Sequence, residues 1–131
     1  MANNLQGLSR AKWRKLGYAV EAGEHVSRIG SIVRRHDTFG FADLIAVKRG
    51  QLLFLQVTSW GNVSARVNKI ARETHGKGQW TRQIMDYATD LLAIPGVRIV
   101  VEGWKLNRET NRWESREVEV TPALLDERKQ K

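Results

Sequence analysis

Phe41-Ala42-Asp43-Leu44-Ile45-Ala46-Val47-Lys48-Arg49-Gly50-Gln51-Leu52-Leu53-Phe54-Leu55-Gln56-Val57-Thr58-Ser59 holds two runs rich in strand formers, Phe41 to Val47 and Leu52 to Thr58. A short basic stretch, Lys48 to Gln51, separates them. Branched and aromatic side chains suit a pleated, half-buried surface and Gly50 suits a tight turn, so the segment reads as a β-hairpin. With a two- or four-residue turn Lys48 faces Gln51, and the same register sets Asp43 opposite Gln56. Side chains alternate between faces, so Asp43 shares a face with Phe41, Ile45 and Val47, and Gln56 with Phe54 and Thr58. Opposed residues share a face, so Asp43, Gln56 and Thr58 converge. A three-residue turn would shift the register and separate them.

An aspartate within an apolar strand needs a partner, because a buried, uncompensated carboxylate costs several kcal/mol. A metal ion or hydrogen-bond donors would supply one. In the alternative reading Asp43 sits at a strand end, bonded to loop amides or an arginine, with no catalytic task.

Outward from the hairpin, Leu5, Leu8, Trp13 and Leu16 recur at helical spacing, with Ser9 as a candidate N-cap and Gly17 as the stop. Tyr18 to Val26 reads as a strand and Gly30 to Gly40 as a loop carrying Arg34, Arg35, His36 and Asp37. Beyond the hairpin a helix is expected over 64–73 and another over 79–93, where Trp80, Ile84, Tyr87, Ala88, Leu91 and Leu92 form one apolar face. Val97 to Trp104 reads as a covered strand and Arg112 to Val120 as an alternating outer one. Pro122 opens a short helical tail, and Asp126 to Lys131 is expected to fray. Residues 1–131 therefore read as a single α/β domain, a mixed central sheet flanked by helices.

The composition sets the class of partner. The chain has 131 residues, with 22 Lys and Arg against 14 Asp and Glu, a formal charge of +8 spread along the sequence. Such a surface attracts polyanions, although a basic surface also serves solubility alone. There is no cysteine, which excludes disulfides and thiolate zinc sites and suits a reducing cytoplasm. No run approaches the roughly 18 apolar residues of a membrane span, nor does the N-terminus carry an apolar signal segment, so a membrane partner is not expected. His25, His36 and His75 lack zinc-site spacing and read as loop or strand-end residues. No hydrolytic triad, Walker loop or dinucleotide fingerprint is present.

The segment Phe41 to Ser59 resembles the metal-binding hairpin of the PD-(D/E)XK nuclease superfamily. It is most similar to the small archaeal Holliday-junction-resolvase type and to related phage proteins. The likeness covers about Arg34 to Ile70, and elsewhere only the order of elements matches. It implies a restriction-endonuclease-like core and a metal-dependent endonuclease of DNA, more so than RNA, with branched or junction DNA as substrate and a homodimer as assembly. In that family Asp43, Gln56 and the Val57 carbonyl would bind magnesium or manganese, a credible oxygen shell. Such a metal activates water and steadies the charge on a phosphodiester during its displacement. Two departures stand out. Thr58 occupies the place of the family's lysine; Lys69 is the candidate replacement, the alternative being a solvated surface lysine. The first helix lacks the glutamate relatives often carry, leaving Glu21, Glu24 or Asp37 to complete the shell. A catalytically inactive nucleic-acid-binding module that kept the fold is thus the rival reading, and a protein-interaction domain such as an inhibitor the third.

Nucleic-acid contacts are expected from Ser59, Trp60, Asn62, Ser64, Arg66 and Lys69, which follow directly on the second strand. Ser64 would cap the next helix, Arg66 would take a phosphate oxygen pair, and Trp60 would stack on a base. The alternative is an ordinary capped surface helix. Arg34 and Arg35 add a basic cluster before the hairpin. Trp13, Trp80, Trp104 and Trp113 read as core or strand-face residues.

Overall fold

The structure, a computed structural model, describes residues 2–130, and the side chains of residues 2–4, 27, 34 and 35 fall outside the description. The elements in chain order are α1 (Ala2–Lys15), β1 (Ala19–Ala22), β2 (Glu24–Ile29), β3 (Ile32–Asp37), β4 (Leu44–Lys48), β5 (Gln51–Ser59), α2 (Val63–Arg72), β6 (Thr74–His75), β7 (Arg82–Gln83), α3 (Ile84–Leu92), β8 (Val97–Asn107), β9 (Arg112–Val120) and α4 (Pro122–Gln130). A five-stranded mixed sheet runs in the order β1-β4-β5-β8-β9. Strands β5 and β8 are parallel, and their connection carries α2 and α3, as a parallel pair requires a crossover. The expected mixed sheet flanked by helices is present in one unit.

The central register is the one the turn chemistry predicts. Lys48 pairs with Gln51 and the ladder continues to Leu44 with Leu55, while Gly50 takes a φ of 74° in the turn. Alternation then sorts the side chains. Leu44, Ala46, Leu53, Leu55 and Val100 pack with Trp13 and Tyr18 on the α1 side. Phe54, Ile99 and Val101 pack with Val67, Ile70, Ile84 and Leu125 from α2, α3 and α4 on the other.

Helix α1 starts earlier than its apolar spacing suggests, and Ser9 is interior to it instead of capping it. The Ser9 hydroxyl has a tertiary acceptor, donating to Glu102 Oε1 at 2.6 Å, and it accepts from Trp104 Nε1 at 2.7 Å. The stop is at Gly17 as expected: its φ is 97°, its N–H donates to Arg14 O and that of Tyr18 to Trp13 O. That is the Schellman closure, with the Trp13 and Tyr18 rings in edge contact at 5.4 Å.

Three expectations are corrected. The strand over 18–26 breaks at Gly23, whose N–H donates to Asp43 O at 2.8 Å. A Cβ there would lie 2.5 Å from Ala42 O, so only glycine admits the approach. The loop over 30–40 is instead the second arm of a β2–β3 hairpin, with Ile29 paired to Ile32 around Gly30-Ser31. Branched residues on both sides of a two-residue Gly-Ser turn are a hairpin signal in their own right. The helix over 79–93 is only α3; Gly78–Trp80 forms a 3₁₀ turn, Arg82–Gln83 pairs with Thr74–His75, and Trp80 is 73% exposed instead of packed in the core.

The end expected to fray is helical through Gln130. Leu125 is fully buried, and Arg128 donates to Ser64 and to Asn68 on α2. Trp13 and Trp104 are buried as expected, while Trp113 is a half-exposed strand-face residue. Among the described residues no helix is long and apolar enough to cross a membrane.

Candidate functional site

Asp43 lies one residue before β4, where three pieces of chain meet. Its amide donates to Leu55 O at 2.8 Å, and its Oδ2 accepts from the Val57 amide at 2.8 Å. Asp43 is therefore bonded to the residues on either side of Gln56, which fixes it opposite Gln56. Its carbonyl accepts from Gly23, so the β1–β2 corner clamps the backbone from the far side. Asp43, Gln56 and Thr58 are all buried, at 7%, 2% and 6% exposure.

Two features mark this cluster as something other than structural filler. Gln56 Oε1 is buried without a hydrogen-bond partner among the described residues, although a lost hydrogen bond at a buried acceptor costs on the order of 1–3 kcal/mol. The Asp43 carboxyl is pushed up to about 7 from the ordinary carboxylate range. Burial is the largest cause and the neighbouring Asp37 the next, through its charge and a hydrogen bond between the two carboxyls; the Val57 N–H and the Arg66 charge work the other way. A buried carboxyl with a half-buried acidic partner, beside an unsatisfied amide oxygen, forms a hard-oxygen donor set of the kind divalent cations take.

Of the three acids left open as the completing group, the structure brings Asp37 to Asp43. Asp37 ends β3, and the three residues Thr38, Phe39 and Gly40 fold it back: Thr38 N donates to Gly23 O and Ala42 N to Thr38 O. Glu24 faces Asp37 across the β2–β3 ladder; it lies in β2, on the hairpin, and not in the first strand where the sequence placed it. Glu21 is exposed on β1, opposite Ile45. Among the described residues no three His, Asp or Glu side chains come together as a metal-holding group. A cation at this place would take Asp37, Asp43 and the Gln56 amide, with backbone carbonyls and water making up the rest. Val57 contributes its amide to Asp43, and its side chain packs on the opposite, α1 face of the sheet.

The cation beside Asp43 is Arg66, half-buried on α2 and near enough to favour the charged carboxylate. Lys69 lies one turn on, also half-buried, so the two share a helix stripe flanking the buried Val67 and Ile70. Ser64 does not cap α2. The helix starts at Val63 with Asn62 at the cap position and no side-chain cap bond, and the Ser64 hydroxyl is held by Arg128 Nη1 at 2.9 Å. Ser59 and Asn62 are exposed at the end of β5 and in the 3₁₀ turn Trp60–Asn62. The side chains of Arg34 and Arg35 lie outside the described residues.

Trp60 carries cations on its ring. Lys105 Nζ stands 4.1 Å from the ring centroid and the Arg116 guanidinium 5.1 Å, with Arg116 Nη2 donating to Trp60 O at 2.7 Å. These two residues were not singled out from sequence. The β8–β9 register, which pairs Gly103 with Arg116, brings them to the same sheet end as Asp43. Gly103 makes the packing possible, since a Cβ there would fall 2.3 Å from Val63 Cγ2 and 3.0 Å from Trp60 Cα. Asp43, Gln56, Thr58, Arg66, Trp60, Lys105 and Arg116 thus gather at the carboxyl ends of the parallel strands β5 and β8, where open α/β sheets place ligands.

A second buried acid serves the fold. Glu102 is fully buried on the α1 face of the sheet, where it accepts from Ser9, Lys12 and Trp13 Nε1, while Lys12 also pairs with Glu117 at 2.8 Å. Every donor comes from α1, so the network fastens that helix to β8. No protein-family model, curated protein or solved structure matches the chain.

Proposed function

We propose that the chain is a divalent-metal-dependent endonuclease of DNA, with its centre at Asp37, Asp43 and Gln56. The observation that carries the reading is the arrangement of Asp43 itself: a buried carboxyl paired with Asp37, bonded to both neighbours of Gln56, with the Gln56 amide oxygen left without a partner. The resemblance of this hairpin to the PD-(D/E)XK nucleases supports the same assignment. Magnesium or manganese, when bound, would supply an activated water and neutralise charge on the phosphodiester. Asp37 and Asp43 would hold the ion, with the Gln56 amide oxygen as a further ligand. Arg66, near enough to Asp43 to favour its charged form, would be able to steady a phosphate oxygen without taking part in proton transfer. Lys69, one turn along α2, and the Trp60, Lys105 and Arg116 cluster continue the positive charge along the sheet end, in keeping with a polyanionic partner.

One observation favours a second reading, a nucleic-acid-binding module without catalysis. Thr58 is buried at the place of the family's lysine and brings no charge to the site. The two readings separate when the purified protein is incubated with linear duplex, single-stranded and four-way-junction DNA, and with RNA, under magnesium or manganese beside Asp43→Asn. The nuclease reading expects DNA cleavage that the substitution removes. Tight, salt-sensitive binding with no cleavage would overturn it in favour of the module, because phosphate neutralisation makes affinity fall steeply with salt in either case. Absence of both would leave a protein-interaction domain.

A further inference from the structure

Beside the acidic pair the structure opens into a cavity of about 720 Å³. One wall is the β2–β3 hairpin. Alternation along its two strands puts the pairs His25 with His36 and Ile29 with Ile32 on the same face, and that face lines the cavity. The opposite wall is the turn His75 to Lys77, and the floor is Asp37 to Phe39. All three histidines of the chain meet here, although nothing in their spacing relates them.

The volume lies within the range of about 300–1,000 Å³ that small organic ligands occupy, far above the needs of a single ion or water. The lining is mixed in a particular way. Ile29, Ile32 and Phe39 give apolar surface, the imidazoles give flat faces and groups that both donate and accept hydrogen bonds, and Lys77 gives positive charge. Arg82, paired with His75, and the exposed ring of Trp80 stand next to that wall. The Trp80 carbonyl is close against Gly76, where a Cβ would lie 2.4 Å from it, so the Trp80 backbone is seated on the cavity wall. A nucleobase needs these properties: two flat faces to cover, polar edges to satisfy and a phosphate on each side to neutralise. Asp37 ties the cavity to the site, since it is both part of the floor and the partner of Asp43.

We infer that this cavity receives an unpaired nucleobase adjacent to the phosphodiester at Asp43, so that the preferred ligand is DNA with an unstacked nucleotide, as at a bulge or branch, and not continuous duplex. This rests on the nuclease reading of Asp37 and Asp43. A base inside a duplex cannot enter a side pocket without first leaving the stack, and that cost is least where the base is already unpaired.

The test uses full-length Asp43→Asn, so that binding is read without cleavage, and duplexes carrying 2-aminopurine either paired or as a single-nucleotide bulge. The expected result is a change in 2-aminopurine emission on binding for the bulge alone, and a roughly tenfold loss of affinity when the bulged nucleotide is abasic. Both His36→Ala and the rim substitution Ile32→Glu, at a 57% exposed position, should abolish the preference for the bulge while leaving duplex affinity in place. Equal affinity for bulge, abasic bulge and duplex, with emission unmoved, overturns the cavity's role even if the wild type cleaves DNA. A wild type that neither binds nor cleaves any of these DNAs overturns the nuclease reading and the inference together.

Discussion

Asp43→Asn should make the protein more stable at alkaline pH in metal-free buffer, although it removes the residue at the heart of the site. The Asp43 carboxyl is raised from 3.8 to about 7 by burial first and Asp37 second. Between those values the folded chain holds a proton that the unfolded chain has released. Stability is therefore fully present below the ordinary carboxylate range, declines as pH rises, and is lowest above pH 7. At about 1.4 kcal/mol per unit, a rise of roughly three units makes carrying the charge cost on the order of 4 kcal/mol at pH 8. Asparagine has the shape of the protonated acid: its oxygen can still accept from the Val57 amide, and its NH₂ can donate to Asp37. Urea denaturation in EDTA should give similar stabilities for variant and wild type near pH 4, and a variant more stable by a few kcal/mol at pH 8. A variant less stable at pH 8, or one whose advantage is the same at both pH values, would refute the placement of a strained carboxyl pair.

Other substitutions probe the frame. Glu102→Ala strands the Lys12, Ser9 and Trp13 donors that it satisfies and should cost about 3–5 kcal/mol in a denaturant titration. The proposed affinity for DNA at the opposite face should be unchanged in the folded fraction. Gly23→Ala drives a methyl into Ala42 O and should cost about 1–3 kcal/mol; because Gly23 also holds the Asp43 carbonyl, the proposed nuclease activity should fall further than stability alone explains. Leu125→Ala opens a cavity where α4 docks and should cost about 2–5 kcal/mol by the same measurement.

The hairpin was legible because its signals are local. Strand formers flank a glycine turn, and alternation does the rest, so the pairing of Leu44 through Lys48 with Leu55 through Gln51 follows from the sequence alone. The Schellman stop at Gly17 and the strands β8 and β9 were legible for the same reason. What stayed hidden depends on residues far apart in the chain. Ser9 reads as a cap until Glu102, more than ninety residues away, offers its hydroxyl a buried partner. Glu102 itself carries the same signal as Asp43, an acid inside an apolar strand, and nothing local says that one is answered by a lysine and the other by a second acid. Trp80 falls at the right spacing for the α3 face, but Gly76 and Gly78 at positive φ turn the chain before it and leave the ring exposed. The β2–β3 hairpin was missed because its apolar residues fall on both faces, Val26 and Val33 on one and Ile29 and Ile32 on the other, so no period of two marks the strands.

The most direct test of the central claim is a manganese titration followed by electron paramagnetic resonance, on wild type, Asp43→Asn and Asp37→Asn. A metal centre at the acidic pair predicts a saturable site in the wild type whose affinity falls at least on the order of 10–100-fold in either variant. Manganese that stays free in solution with the wild type, or binds equally to all three proteins, would contradict it.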